Sequence, residues 1–576
     1  MLAGPIFRRE VLTAPRTLKH YFIRSGYVAL LLVLVYTIRQ VTIGFQDVTN
    51  LGDMARFGRF AFQVLSVIQL TLVLFFALLF AANAVAQEKD RQTLLMLLVT
   101  DLRDRELVLG KLFSSLTTVF VLVLASMPVF FLIQRLGGVT VSQIVWVLAL
   151  CAATALLTGS WGCLVGFWRE RTFQTLSMSV LGIVLLIGIV EITVVLLGAD
   201  SPVGRIIAYF NPFRSLFSVL SPLSNYRGDG VVPVSALGSV LAMSGLGIVL
   251  NVITISRLRI WNPSRSVYRK AKTETDKETG VTRARTRRIW SNPVIWREIR
   301  TRAYGRKAVL IKLAYCVLAG FSLSLMMSGR FTEPLLGKIS PESFLFVGLS
   351  ILSLMLVNAQ AVTAFTSERD MKTLELLLMT DITAREFVFG KLGGILYNAK
   401  EMILVPLLLV GYLIWQGGIG LENGVYVTIG YLILVGFSAM LGLHSGFSYE
   451  SSRNAIMNSL GTMFFLFVGI FIFMMLLIEA RSSFYLQFQS FIVFIGLGSI
   501  GMSASLSRKN PSMALRISAA VLPFLTFYSI TEYLLDGTMG VCLAVTIAYG
   551  FTTLAMLIPA ISEFDVALGR TTLDQG

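Results

Sequence analysis

Long apolar runs recur along the whole chain and constrain its fold more than any other feature. A helix needs about 20 consecutive apolar residues to cross a bilayer, and fourteen runs in the 576 residues approach that length. Only 14% of the residues are charged, whereas a soluble domain carries roughly a quarter. The sequence therefore predicts an all-α, polytopic membrane protein.

The fourteen runs fall into two series separated by a polar segment. They lie near residues 26–38, 61–86, 113–134, 144–167, 174–198 and 234–256, then 308–328, 343–366, 393–415, 425–447, 456–478, 484–506, 513–535 and 539–562. We expect each run to form one membrane-spanning helix. Residues 1–20 are basic and interrupted by prolines, so they do not look like a cleavable signal.

The distribution of Lys and Arg predicts the orientation, because cations near the ends of spans favour the cytoplasmic side. A cytoplasmic amino terminus places 37 of the 49 cations on that side and 10 outside. The largest basic block, residues 257–307, holds 16 basic and 4 acidic residues. Orientation and contact with anionic headgroups explain such a block beside a span better than nucleic acid does. We expect a multi-pass protein of the cell (inner) membrane with both termini in the cytoplasm.

A 25-residue segment occurs twice in the chain. EKDRQTLLMLLVTDLRDRELVLGKL, from Glu88, aligns without a gap with ERDMKTLELLLMTDITAREFVFGKL, from Glu368. Of the 25 aligned positions, 14 are identical. The same offset, that from Glu88 to Glu368, aligns Gly162 with Gly442 and Gly166 with Gly446, and GPIFRRE near the start resembles NPVIWRE, which ends at Glu298. Such self-similarity predicts a duplicated architecture.

The repeat predicts two copies of one unit with six spans. Because six is even, both copies insert the same way up and form a parallel repeat around an axis along the membrane normal. We expect a first unit at residues 1–256, a basic cytoplasmic linker at 257–291, a second unit at 292–507, and an additional transmembrane hairpin with a cytoplasmic tail at 508–576. The hairpin has no counterpart in the first half.

Both copies of the motif lie between the second and third predicted spans of their halves. The apolar stretch Leu94 to Val99 is too short to span a membrane and too apolar to be fully solvated. The pairs Thr100-Asp101 and Thr380-Asp381 then suit the amino-terminal cap of a second helix. We therefore expect two short helices at the membrane surface. A charged connecting loop is the simpler interpretation, but a loop that is more alike in the two halves than any span favours a docking role.

The motif resembles that of the permease subunits of type-2 ATP-binding-cassette (ABC) exporters. Their motif runs Glu-x-x-x-Gly-Thr-Leu-Glu-x-Leu-Leu, then Thr-Pro, then Gly-Lys at the start of the third span. The matching residues are Glu88, Thr93, Leu94, Leu97, Leu98, Thr100, Gly110 and Lys111 in the first copy, and Glu368, Thr373, Leu374, Glu375, Leu377, Leu378, Thr380, Gly390 and Lys391 in the second. The departures are Gln92, Lys372, Leu95, Asp101 and Asp381.

The resemblance implies a transport path between two six-span units, driven by a homodimer or heterodimer of separate nucleotide-binding ATPase subunits. The chain lacks a G-x-x-x-x-G-K-[ST] phosphate loop, since Gly110-Lys111 and Gly390-Lys391 are each followed by Leu. The chain itself is therefore not expected to be an enzyme or to hold a cofactor or metal. The resemblance also implies an amphipathic helix before each unit, at residues 5–20 and 292–305, and short re-entrant helices within the outer loop 198–233.

The predicted contacts with the ATPase subunits are the polar positions of the two motif copies. They are Glu88, Asp90, Thr93, Asp101 and Glu106 in the first copy, and Glu368, Asp370, Thr373, Glu375, Asp381 and Glu386 in the second. Glu191 is a further candidate, because a carboxylate within a span is costly enough to suggest a function. A packing or water-facing role is the favoured interpretation of this isolated acid.

Two other classes of function stay open. A secondary transporter or channel would carry several ionisable groups within its spans or interrupted helices, and such groups are scarce here. A membrane scaffold or sensor would bind partners without moving a solute. The sequence does not indicate the exported substrate.

Overall fold

The fold is all-helical across the residues that the structure, a computed structural model, describes. These residues are 4–13, 18–43, 50–91, 93–169, 172–197, 201–220, 234–262, 290, 292–300, 308–327, 341–370, 373–374, 379–479, 484–507, 512–534 and 537–567. Most of the predicted linker, 257–291, lies outside them, as does the predicted tail beyond residue 567.

Among the described residues, ten helices begin before the predicted linker. They are α1 (Gly4–Thr13), α2 (Leu18–Thr42), α3 (Leu51–Asp90), α4 (Thr93–Val99), α5 (Asp104–Leu136), α6 (Val141–Trp168), α7 (Thr172–Leu197), α8 (Pro202–Ala208), α9 (Pro212–Leu220) and α10 (Ala236–Trp261). The short helices α1 and α11 (Pro293–Arg300) fall within the segments where the resemblance implies amphipathic helices. The short helices α8 and α9 fall in the loop where it implies re-entrant helices.

The helices after α11 are longer and mostly apolar. They are α12 (Ala308–Met327), α13 (Pro341–Asp370), α14 (Ala384–Asn398), α15 (Lys400–Trp415), α16 (Leu421–Ser448), α17 (Ser452–Phe464, a π turn at Phe465–Gly469, and Ile470–Glu479), α18 (Phe484–Leu506), α19 (Met513–Leu534) and α20 (Thr538–Val545, a π turn at Thr546–Gly550, and Phe551–Ala567).

Every predicted span coincides with a helix or a helix pair. Within the described residues, ten helices are long and apolar enough to cross a membrane, and the pair α14–α15 makes an eleventh if it is counted as one bent span. The other three predicted spans correspond to α2, α12 and α18. In α12 and α18 the apolar stretches, Val309–Ser324 and Phe491–Leu506, are shorter. The protein is thus a polytopic α-helical membrane protein.

The third span of the second half is bent, unlike its counterpart. The helices α14 and α15 meet at an angle of 57°, whereas α5 is one helix of 33 residues. At the bend, the side-chain amide of Asn398 donates to the carbonyl of Gly394 at 2.8 Å and to that of Glu298 at 3.3 Å. Side-chain groups that compete for helix carbonyls favour a local break. The sequence predicts one span over residues 393–415, and its hydropathy does not predict the bend.

The helix ends recur at the same offset as the sequence repeat. The equivalent pairs are α3 with α13, which end at Asp90 and Asp370, α5 with α14, which begin at Asp104 and Ala384, α6 with α16, which both have 28 residues, and α7 with α17, which begin at Thr172 and Ser452. The repeated sequence therefore forms the same order of helices in each half.

Glycines let the equivalent helix pairs α3–α6 and α13–α16 pack closely. A Cβ atom built on Gly162 would lie 2.8 Å from the carbonyl oxygen of Leu78, and one on Gly442 would lie 2.5 Å from the Cβ of Ala361. Both distances are shorter than real Cβ contacts. Small residues at such positions are the usual means by which membrane helices approach each other.

The helices of the two halves also contact each other. The rings of Phe75 in α3 and Phe464 in α17 stack with centroids 4.4 Å apart. At one junction α7 packs on α12, and at the other α2 packs along α18. The helices of both halves therefore form one bundle. Different helices form its two junctions.

We expect Gly442→Leu to destabilise the protein, because the new side chain would overlap α13. Overpacking of this kind costs about 1–3 kcal/mol, which thermal unfolding of the detergent-purified chain would detect as a lower midpoint. Gly436→Leu is the matched control on the same helix, since no described atom lies within 4 Å of a Cβ built there. Equal midpoints for the two variants would contradict the close packing.

Candidate functional site

In the first copy of the motif, an acid–base pair joins the end of α3 to the start of α5. The ammonium of Lys111 lies 2.7 Å from Oε1 of Glu88, and only 9% of the Lys111 side chain is exposed. The hydroxyl of Thr93, the first residue of α4, donates to the main-chain carbonyl of Glu88 at 3.2 Å and also to its carboxylate. One glutamate thus connects three helices at what we term the motif end, where α3 ends and α5 begins.

The next two residues of α3 hold the connection between α6 and α7. The ammonium of Lys89 donates to the carbonyl oxygens of Phe167 and Arg169, the latter at 2.8 Å. The hydroxyl of Thr172 donates to the carboxylate of Asp90. The acidic-basic cluster at the start of the motif is therefore engaged with the chain's own main chain and side chains.

The second copy makes equivalent contacts with a different cation. Arg369 stands where Lys89 stands in the first copy, and its guanidinium donates to the carbonyl oxygens of Gly446 and Tyr449 and, at 3.1 Å, to the hydroxyl of Ser452. The hydroxyl of Thr373 donates to the carbonyl of Glu368 at 3.0 Å, as Thr93 does to Glu88.

A buried ionic cluster takes the place of the simple pair in the second copy. The ammonium of Lys391 lies 2.8 Å from Glu368 and 2.6 Å from Glu298, and the side chains of Lys391 and Glu298 are 2% and 3% exposed. Arg297 also contacts Glu368 and lies 3.3 Å from Glu298. Two carboxylates and two cations balance in charge, which a buried ionic group requires.

Two glycines of α14 let α11 pack close enough for Glu298 to reach this cluster. A Cβ atom built on Gly390 would lie 2.7 Å from the Cβ of Val294, and one on Gly394 would lie 2.5 Å from the Cβ of Glu298. The helix α11 therefore lies directly on the backbone of α14. The α11 residues of the cluster, Arg297 and Glu298, are absent from the predicted site. The Arg-Glu pair that recurs in GPIFRRE and NPVIWRE is the signal that identifies them.

The second helix of each motif copy begins three residues later than the sequence predicts. The backbone N–H of Glu386 donates to the hydroxyl of Thr383 at 3.2 Å, and its carboxylate accepts from the N–H of Thr383 at 3.0 Å. This reciprocal pair is a capping box. In the first copy, Glu106 accepts from the N–H of Arg103 at 3.2 Å.

The caps predicted at Thr100-Asp101 and Thr380-Asp381 are therefore wrong. The hydroxyl of Thr100 instead donates to the carbonyl of Leu97 at 2.6 Å, at the end of α4. The expected second short helix is the first part of α5, which continues through the predicted third span.

The helix α4 presents an apolar face that the described residues leave exposed. Leu94 and Leu98 are buried, whereas Leu95, Met96 and Val99 are 45%, 73% and 70% exposed. In the second copy, Met379 stands at the position of Val99 and is 88% exposed. Exposed apolar groups clustered in this way mark a surface for a membrane or a partner protein.

Four further residues of the predicted motif site remain to be placed. Asp101 and Asp381 are exposed beside the apolar face, and Asp370 is the last residue of α13. Glu375 lies outside the described residues. The motif end thus combines an internal ionic framework with an exposed apolar and acidic rim.

Glu191 is paired at the opposite end of the bundle. Its carboxylate accepts from Nε and Nη2 of Arg214 at 2.7 and 2.6 Å, and the side-chain amide of Asn211 also contacts it. Both partners lie at the start of α9, within the predicted outer loop 198–233. Glu191 therefore attaches the short helix α9 to α7, and the sequence-based view of an isolated acid is incomplete.

The helices and the site together define a polytopic membrane protein with a duplicated motif at one end. Residues 27–256 match the model of the family described as "ABC-2 family transporter protein". The match includes the first copy of the motif and covers less than half of the chain. No curated protein and no solved structure matches the chain. The family match supports the resemblance to ABC-2 permeases that the motif indicates.

We expect Lys391→Met to destabilise the protein strongly, because it leaves the buried Glu298 and the largely buried Glu368 with Arg297 as their one cation. Removing one partner of a buried ion pair costs about 3–5 kcal/mol, measured as a drop in the thermal unfolding midpoint. Adding Glu298→Gln to this variant should recover part of the loss, since Glu368 still contacts Arg297. The exposed Lys400→Met is the control. A double variant no more stable than Lys391→Met would show that the loss of stability in Lys391→Met does not come from unbalanced charge.

Proposed function

We propose that this protein is the transmembrane permease component of an ABC-type exporter and works with separate ATPase subunits. The observation that carries the proposal is the motif itself, which lies within the family match in its first copy and recurs in the second half with the same helix ends. The chain supplies the substrate path, and ATP hydrolysis belongs to the partner.

The two halves serve as the two permease units, fused in one chain. The equivalent helices and the parallel direction of the repeat support this division, with residues 1–256 and the second half each contributing one side of the path. The motif end faces the cytoplasm in this proposal, and the excess of Lys and Arg on that side supports the orientation.

The proposed docking surface for one ATPase subunit is the exposed face of α4 together with Asp101. Its equivalent in the second half contains Met379 and Asp381. The pairs Glu88–Lys111 and Glu368–Lys391 lie behind these surfaces and join them to the third span of each half. Movement of a bound ATPase subunit would thereby reach α5 and α14 through the ion pairs.

The orientation can be tested by cysteine labelling in intact cells, in a Cys316→Ala background because Cys316 is the exposed native thiol. Thr380→Cys, at the motif end, should be protected from a membrane-impermeant maleimide. Ser142→Cys, at the opposite end, should react, since both native side chains are exposed. Labelling of Thr380→Cys in unbroken cells would reverse the proposed orientation.

Docking can be tested with Met96→Glu combined with Met379→Glu. Both side chains are exposed, so folding should be unchanged, while copurification of the ATPase and ATP hydrolysis by the complex should each fall at least about tenfold. Leu51→Glu is the control for general effects of a charge, because Leu51 is an exposed apolar residue at the start of α3 and precedes the predicted span at residues 61–86. An intact complex with both motif substitutions would exclude these surfaces as the docking sites.

A charge swap separates docking from internal pairing at Glu88. Glu88→Lys breaks the pair with Lys111, whereas Glu88→Lys with Lys111→Glu restores a pair of opposite sign. If Glu88 acts only by holding the helices, the swap should recover both stability and ATPase copurification. If the swap recovers stability alone, the carboxylate of Glu88 itself contacts the partner.

A further inference from the structure

A large cavity lies at one junction of the two halves. Its volume is about 950 Å³, and its walls come from α2, α3, α17 and α18, with Thr118 of α5. This volume lies within the range of cavities that hold small molecules. At the other junction α7 packs on α12, so the two junctions are not equivalent.

Packing indicates that α18, which forms one wall of the cavity, belongs to an insertion in the second half. The helix α10 packs along α6, and α20 packs in the same way along α16, the equivalent of α6. The helices α18 and α19 then occupy the place in the chain order that the short α8 and α9 occupy in the first half. The sequence predicts α19 and α20 as the additional pair, whereas the packing favours α18 and α19.

The lining of the cavity changes from charged to apolar along α17. Arg453 and Asn454 lie in its first turn, at the motif end, and are exposed. Asn458 and Thr462 follow about one and two turns further along, and both are held by hydrogen bonds to the hydroxyl of Ser505, at 2.8 and 3.1 Å. Arg453 is the single charged side chain among the lining residues that the structure describes.

The deeper walls are apolar and contain glycines that leave open space. Leu34, Phe76 and Phe494 line this part of the cavity. No described atom lies within 4 Å of a Cβ built on Gly461 of α17 or Gly501 of α18. Larger side chains at these two positions would fill the cavity without displacing a neighbouring helix.

We propose that this cavity binds one anionic, lipid-like amphiphile from the cytoplasmic leaflet. The headgroup lies beside Arg453 and Asn454, and the hydrocarbon chain extends among the aromatic and aliphatic side chains beyond Thr462. A charged entrance followed by an apolar interior matches a molecule with an anionic end and a long apolar end. This inference rests on the proposed function for its orientation and names the substrate class of the permease.

The test uses the full chain purified without any ATPase and placed in phosphatidylcholine nanodiscs. The probes are phosphatidic acid and phosphatidylcholine, each with a photoreactive acyl chain, and crosslinked peptides are identified by mass spectrometry. Phosphatidic acid should label α17 and α18, and Arg453→Gln should lower that labelling about tenfold, because it removes a charge-assisted hydrogen bond to the headgroup. Arg453→Lys should retain most of it.

Two further variants test the cavity itself. Gly461→Leu and Gly501→Trp should each abolish labelling of α17 and α18 with an unchanged thermal midpoint. Gly496→Trp is the matched control on α18, because it also has open space but does not line the cavity. Labelling that survives both glycine variants would overturn the site, and equal labelling by the two lipids would overturn the anionic class.

Lipid labelling and ATPase copurification are separate measurements, so the binding site and the proposed function can fail independently. Lipid binding that depends on Arg453 in a chain that copurifies with no ATPase would refute the proposed function and leave the binding site standing. Absence of labelling in a chain that does form an active complex would refute the site alone.

Discussion

The ammonium of a lysine at the start of the third span, held by a glutamate at the end of the second, is the interaction on which the motif end depends. In the first half it connects α3, α4 and α5 through Glu88 and Lys111. In the second half it also includes α11, through Glu298. Because the ammonium groups of Lys111 and Lys391 are shielded from water, each needs its carboxylate partner, and the helix ends that carry these groups are fixed relative to one another.

Much of the fold could be predicted from the sequence because a bilayer limits the solutions available to a backbone. With no water to satisfy peptide groups, an apolar run of sufficient length forms a helix, and each of the predicted runs does so. The repeat also predicts which helices are equivalent. The helix ends recur at the offset of the repeat even where the residue types differ, since α5 begins at Asp104 and α14 at Ala384.

The parts that could not be predicted depend on contacts between segments distant in sequence. The role of Glu298 requires α11 to lie on Gly390 and Gly394, and nothing in the spacing of the motif indicates that approach. The pairing of Glu191 with Arg214 likewise depends on the path of a loop. The bend at Ala399 escapes prediction because the apolar run continues through it, and hydropathy does not register a side chain such as Asn398 that bonds to helix carbonyls.

That bend makes the two halves mechanically unequal. In the first half, α5 is one helix from the motif end through the span, so a displacement at Lys111 acts on an uninterrupted helix. In the second half, the same displacement of α14 reaches the 57° bend before α15. Part of the displacement would there become a change in the angle between α14 and α15. In the proposed permease, equal displacements at the two motif copies would therefore move the third spans of the two halves by unequal amounts.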